Sequence, residues 1–318
     1  MEITEFRGIR IGLVDAAEAL EGGWRAHRER LDVVRVPDPP VAEWARLRRT
    51  GFLPKPFLIT WTAATGGSEE EFLARLSTKE RQNVRTARRR AASDGLTVRA
   101  EPVDERLLAA FLPLYAGRVA GMRHGWAVAA EQRDALMRDA GEHFAVCAYD
   151  GGELAGCCLA WQRPHLSAVH LRFSAVGPRH RESSLARVLY MAAAQVARER
   201  GYPTLTLGMD PNIYGHVAKP GLFGFKWRLG FTGVPSQSVD PETGADQADL
   251  LLHLGRLSDP SFFLAYAGPR PGRELRLEVF SGGGDLDTRP FEAPFLRGRA
   301  VHLVPRGAVR RREAAAAR

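Results

Sequence analysis

Polar and apolar positions settle into a readable order from residue 96 onward. Leu96–Glu101 alternates with period two, as a strand does. Asp104–Ala120 and Glu131–Ala140 carry helical spacing. His143–Asp150 and Glu153–Gln162 read as strands joined by Gly151-Gly152, a hairpin signal, and Leu166–Val176 reads as a third strand. Ser184–Arg200 is an amphipathic helix with Leu185, Val188, Leu189, Ala192 and Val196 on one face, stopped by Gly201. Thr204–Met209 is a further strand, followed by a loop and the segment Phe223–Phe231, expected as a short helix and strand. Upstream, residues 1–65 mix short apolar runs (Ile9–Val14, Phe57–Thr62) with Pro-rich breaks, as a small α/β piece would. Ser68 with Glu71 and Ser77 with Glu80 match helix-opening capping boxes, the second starting a helix over Thr78–Ser93. Downstream, Ser261–Tyr266, Glu274–Phe280 and Ala300–Val304 look like short strands between Gly/Pro-rich loops.

The helix Thr78–Ser93 has two faces. Val84, Ala87 and Ala91 share one, while Arg81, Arg85 and Arg88 share another, widened by Arg89 and Arg90. Six cations between Lys79 and Arg90 make the densest positive run of the chain. Such a run reads either as a phosphate-backbone contact or as a solvated helix face. The whole chain carries net charge +8 with a pI near 9.8, which favours a polyanionic partner. Of its 45 basic side chains only four are lysine (Lys55, Lys79, Lys219, Lys226), the rest being arginine. Those four mark places where a compact ammonium is preferred.

Cys147, Cys157 and Cys158 are three in number, lie on apolar stretches and include an adjacent pair. That is not a disulfide framework, and adjacent strand residues face opposite ways, so the cysteines read as small core residues. No metal-ligand spacing, Walker motif or dinucleotide glycine pattern is present. The N-terminus lacks a basic start with an apolar run, and no stretch of about 18 apolar residues occurs, so the expected location is the cytoplasm, with no membrane span.

The order of strand, two helices, three-strand meander, long helix, strand, short helix and strand resembles the GNAT fold. In the segment Phe223–Phe231, a Phe225-Lys226 pair followed by three residues and then Gly230-Phe231 resembles the closing motif of the Fem family, GNAT-fold transferases that use aminoacyl-tRNA as donor. The run Gln82–Arg88 is similar to that family's basic helix, and Ala197–Tyr202 with Leu205–Gly208 is similar as well. The resemblance spans about residues 70–235. It implies a mixed, mostly antiparallel GNAT-like sheet flanked by helices. The expected layout is a reduced N-terminal GNAT-like portion over 1–95, a transferase domain over 96–240, C-terminal strands over 241–305 completing or capping the sheet, and a disordered tail over 306–318.

The resemblance also assigns roles. Lys226 would stabilise developing negative charge, with Phe225 packed beside it. Asp210 is a candidate to bind or deprotonate the acceptor ammonium, and Tyr214 to donate a proton, because their loop leaves the end of a strand where ligands sit in α/β sheets. His216 and Lys219 share that loop. His170 and Arg172 alternate with Ser174 on one strand face, against Val169, Leu171 and Phe173, and are candidates to line the acceptor pocket. Arg123, His124 and Trp126 lie where such folds contact the acceptor. Arg81, Arg85, Arg88, Arg89, Arg179, Arg181 and Ser183 are candidates for tRNA or phosphate. No cofactor is expected beyond aminoacyl-tRNA as co-substrate. In the loop Val176–Ser184, residues Arg179 to Ser184 lack the glycines that cradle a CoA pyrophosphate at a helix N-terminus. The expected reaction moves an amino acid from aminoacyl-tRNA to an amine of a small-molecule or peptide acceptor. An acyl-CoA-dependent N-acyltransferase and a non-enzymatic RNA-binding module are the alternatives.

Overall fold

The structure is a computed structural model that describes residues 1–122, 127–284 and 286–306. In chain order, the first stretch supplies β1 (Glu2–Phe6), β2 (Ile9–Leu13), α1 (Ala16–Glu21), β3 (Val33–Pro37), α2 (Trp44–Arg49), β4 (Leu53–Pro56) and β5 (Leu58–Ala64). The middle supplies α3 (Glu69–Ala74), α4 (Thr78–Ser93), β6 (Thr97–Pro102), α5 (Glu105–Ala120), α6 (Val128–Glu131), α7 (Arg133–Arg138), β7 (His143–Asp150), β8 (Glu153–Arg163), β9 (Ala168–Val176), α8 (Leu185–Glu199) and β10 (Thr204–Pro211). There follow α9 (Pro220–Arg228), β11 (Thr232–Pro235), β12 (Asp246–Leu251), β13 (Ser261–Tyr266), β14 (Leu275–Ser281) and β15 (Leu296–Leu303). The fold is mixed α/β, with mostly antiparallel sheets.

The chain forms two compact units. The first comprises Met1–Ile59, Met209–Gly224 and the chain from Val234 onward. Its five-stranded sheet has the order β1-β2-β3-β12-β4, so a strand from far down the chain sits between two N-terminal ones. Buried charge locks that insertion. Asp249 of β12 accepts a two-pronged contact from Arg35 of β3 at 2.8 and 2.9 Å, and lies 3.3 Å from the Lys55 ammonium of β4. Lys55 is fully buried, and desolvation pushes it down to about 8 despite Asp249. A smaller sheet, β13-β14-β15, completes the unit.

The second unit comprises Thr60–Gly208 and Phe225–Gly233, and is built on the sheet β11-β5-β10-β9-β8-β7-β6. β7 to β9 form the expected antiparallel three-strand meander, and β6 pairs antiparallel with β7. Leu107, Leu108 and Phe111 of α5 pack on one sheet face against Ala145, Cys147, Cys157 and Leu159. The buried stripe of α8, including Leu185 and Leu189, covers the other face, where Gly156 lets both leucines approach closely. β10 pairs with β9 in parallel only from Thr204↔Ala168 to Thr206↔His170. β9 then runs on to Val176 and β10 to Pro211, so the pairing stops while both strands continue.

β9 departs from simple alternation. Phe173 pairs with Leu159 and Leu171 with Ala160, which leaves Arg172 as an extra residue in a β-bulge. The bulge overturns the expected face assignment. Phe173 joins the α5 core, and Ser174, paired with Cys158, turns to the α8 face. His170 lies directly opposite Trp161 and therefore shares its face.

Candidate active site

Lys226 sits in the last turn of α9 and is buried, not on the surface. Its Nζ donates to the Leu207 carbonyl of β10 at 3.2 Å and lies 5.7 Å from the Trp61 ring of β5. The Phe-Lys-x-x-x-Gly-Phe motif explains this placement. Gly230 takes φ +90°, a conformation that glycine adopts without penalty, and its missing side chain leaves room for Leu76. The Phe231 amide donates back to the Lys226 carbonyl at 3.2 Å, and the Phe231 ring is buried. Phe225, one residue earlier, packs 6.1 Å from Tyr190 of α8, with the Arg187 guanidinium 5.2 Å over its ring.

A second group gathers on the α5 face of β7, β8 and β9. His143, Trp161 and His170 are cross-strand neighbours, and the His143 and Trp161 rings stack at 5.8 Å. Bulged Arg172 lies over Trp161 and reaches His143 Nε2 at 3.2 Å and Gln132 Oε1 at 2.6 Å. Desolvation, then the charges of Arg172, Arg163 and Lys226, push His170 down to about 3, so its imidazole is neutral near pH 7. Desolvation also lowers His143 and Arg172. His170 nonetheless keeps part of its surface accessible. Gly208, at φ +71°, gives its ring room, since a Cβ there would stand 3.1 Å from His170 Nε2.

The loop after β10 lies in the first unit. The Tyr214 hydroxyl donates to Asp210 Oδ2 at 3.3 Å, and both side chains are buried. Tyr214 also stacks on Phe262 at 4.8 Å. His216 Nε2 donates to the Arg7 carbonyl at 2.9 Å, and Lys219 is exposed at the start of α9. The structure thus joins Asp210 with Tyr214 in one unit, and Lys226, His170 and Arg172 belong to the other.

The basic helix α4 turns Val84, Ala87, Ala91 and also Glu80 inward. Glu80 accepts from Arg187 Nε of α8 at 2.6 Å and from Asn83 at 2.8 Å. Arg88 is committed to Glu69 through two contacts, while Arg81 donates to the Leu76 carbonyl and to Thr78. Arg85 and Arg89 are exposed and, with Gln82 and Arg88, line a surface cavity of about 370 Å³. Arg90 donates to the Glu182 carbonyl at 3.1 Å, tying α4 to the loop before α8. In that loop, Arg179 pairs with Asp150, His180 is buried beside Asp150 and Asp94, Ser183 donates to the His180 carbonyl and Arg181 is exposed.

Sequence reasoning did not single out Trp61, His143, Trp161, Tyr190 or the Glu80–Arg187 pair. For Trp161 and His143, the signal was an aromatic and a titratable group at the ends of two strands joined by one hairpin. Arg123, His124 and Trp126, and the tail from residue 307, lie outside the described residues. Among the described residues no group of His, Cys, Asp and Glu is placed to hold a metal, and no helix is long and apolar enough to cross a membrane.

Residues 111–214, about a third of the chain, match the Acetyltransferase (GNAT) family. This match covers β7 to β10 and α8, including the parting of β9 from β10. Solved structures similar to the chain include FemX, at 14% identity over 79% of this chain and 83% of that one, with a TM-score of 0.45. The L-PGS from Bacillus licheniformis is similar at 15% identity over 77% and 79%, TM-score 0.42. The C-terminal domain (DUF2156) of a putative lysylphosphatidylglycerol synthetase from Agrobacterium fabrum is similar at 12% identity over 78% and 79%, TM-score 0.43. No curated protein matches the chain. The GNAT-type fold expected from the sequence agrees with that family match over residues 111–214.

Proposed function

We propose that the protein is an aminoacyltransferase that moves an amino acid from aminoacyl-tRNA to the amine of a small-molecule or peptide acceptor. The observation that carries this reading is the docking of α4 on α8 through the buried Glu80–Arg187 pair. That pair, with Arg90 on Glu182, aligns the exposed Arg85 and Arg89 with the loop that opens α8. A polyphosphate backbone fits such a cationic track. A CoA pyrophosphate needs close backbone approach, and residues 179–184 all carry side chains there.

In the proposed step the neutral acceptor nitrogen attacks the ester carbonyl carbon. A C–N bond forms, the C–O bond to the ribose breaks, the nitrogen loses a proton and the ribose oxygen gains one. The Lys226 ammonium is the group assigned to the oxyanion, and such electrostatic stabilisation is the main contribution a protein makes to acyl transfer. Arg179, Arg181 and Ser183 are the candidates on the phosphate path.

A CoA-dependent N-acyltransferase is the second reading, favoured by the match to an acetyltransferase family. Incubation of the full chain with single radiolabelled aminoacyl-tRNAs and an amine panel, beside labelled acetyl-CoA, separates the two. Label leaving tRNA for an amine supports the first reading. Transfer from acetyl-CoA alone overturns it.

A further inference from the structure

The His143–Trp161–His170–Arg172 group on the α5 face of β9 has a chemistry of its own. The bulge gives Arg172 a place outside the strand ladder, over the Trp161 ring at 4.9 Å. Its partners are the neutral groups His143 and Gln132, and among the described residues no carboxylate lies within ion-pair distance of it. Half-burial makes that guanidinium costly to keep, and the carboxylate acting on it, Asp139, lies beyond ion-pair distance. His170, two residues before, has no hydrogen-bond partner among the described residues, although protein surrounds it and part of its surface stays open. The charges that lower its pKa are those of Arg172, Arg163, Lys226 and His143. A positive field of this kind draws an anion and disfavours an ammonium relative to the free amine. The free amine is the form that attacks a carbonyl carbon.

Resting on the transfer reading above, we infer that the acceptor is an amine that also bears a carboxylate, held by the planar guanidinium of Arg172 against Trp161. Arg presents a fork of N–H groups that matches a carboxylate in two contacts, and the flat ring beneath fixes its plane. His170 then faces the rest of the acceptor with a neutral nitrogen able to accept an N–H from its amine. Amino acids and peptide C-termini have this chemistry.

Isothermal titration calorimetry on the full chain, without any donor, tests the assignment. The probes are the common amino acids and glycine-containing dipeptides, each beside its C-terminal carboxamide, with phosphoethanolamine beside ethanolamine as the phosphate arm. The expected result is that at least one free acid binds and its carboxamide binds at least about tenfold more weakly, with Arg172→Gln erasing the difference and Arg172→Lys restoring part of it. Equal binding of acid and carboxamide overturns the proposal, as does a charge-dependent response confined to phosphoethanolamine, or no acid-dependent binding at all. Should Arg172→Gln fail to fold, the acid-against-amide comparison on the unaltered protein still decides. Because no donor is present, a failed tRNA transfer assay would strike the donor reading alone.

Discussion

Glu80 of α4 and Arg187 of α8 meet in a buried ion pair with 2.6 Å between Oε1 and Nε. Glu80 is 1% exposed, so the carboxylate has left water altogether and depends on Arg187 and Asn83 for its partners. Removing one partner of such a pair is worse than removing both. Arg187→Ala should lower unfolding stability by about 3 kcal/mol, read from the urea midpoint. The double variant Glu80→Leu with Arg187→Met should recover most of that loss. An Arg187→Ala midpoint equal to the unaltered protein's would show that the pair does not anchor α4.

Lys226 is the residue on which the proposed chemistry turns. Lys226→Met keeps most of the volume beside Trp61 and removes the charge. We expect kcat/KM for aminoacyl transfer to fall by about 10²–10³, the loss seen when one oxyanion donor is removed. The fall should appear mainly in kcat, because an interaction confined to the transition state leaves ground-state binding alone. A variant that transfers at the parent rate removes Lys226 from the mechanism.

If the arginine track on α4 meets a nucleic-acid backbone, binding must respond to salt. The logarithm of affinity for tRNA should fall linearly with the logarithm of salt concentration, by roughly 0.7–0.9 per phosphate contacted. Arg85→Glu with Arg89→Glu should flatten the slope and weaken binding across all tRNA species alike. Arg88→Glu should mostly cost stability instead, since Arg88 is bound to Glu69. A salt slope unchanged by the double reversal would place the nucleic-acid contact elsewhere.

Elements with local signals were legible in the sequence. The Ser77 cap fixed the start of α4, and Gly151-Gly152 fixed the β7–β8 hairpin, both as the structure has them. Non-local pairing was not legible. Nothing in Asp246–Leu251 says that it slots between β3 and β4, because that register is set by Asp249 meeting Arg35 and Lys55 across about 200 residues of chain. The bulge at Arg172 left no mark either, since Phe173-Ser174-Ala175 alternates just as well in the wrong register. Lys226 was marked by its motif and by the scarcity of lysine, whereas Trp61, which lies beneath it, sits on a strand more than 160 positions away.

The neutral state of His170 fixes the sign of a pH effect. Its pKa is about 3 in the fold against an ordinary 6.5, so between those values the unfolded chain binds a proton that the folded chain does not. Stability therefore rises with pH across that window and is lost as pH falls from about 6.5 toward 3. His143, also lowered by desolvation, adds a contribution of the same sign. His170→Gln should make the acid limb of the stability curve shallower, as read by urea unfolding at a series of pH values. An acid limb of unchanged steepness would mean that His170 is solvated and charges freely.

Gly208 and His170 give the sharpest test of how the strands part. Gly208 lies at φ +71°, and an added Cβ would stand 3.1 Å from His170 Nε2. Gly208→Ala therefore meets two obstacles, the left-handed backbone, which costs about 1–2 kcal/mol for an L side chain, and the crowded imidazole. His170→Ala removes the second obstacle and leaves the first. In a double-mutant cycle the Gly208→Ala penalty should be smaller in the His170→Ala background, with a coupling of about 0.5–1 kcal/mol. Additive effects would mean that the ring has room to swing away from β10. In that case Gly208 would be needed for its backbone conformation alone, and the position of His170 would not depend on it.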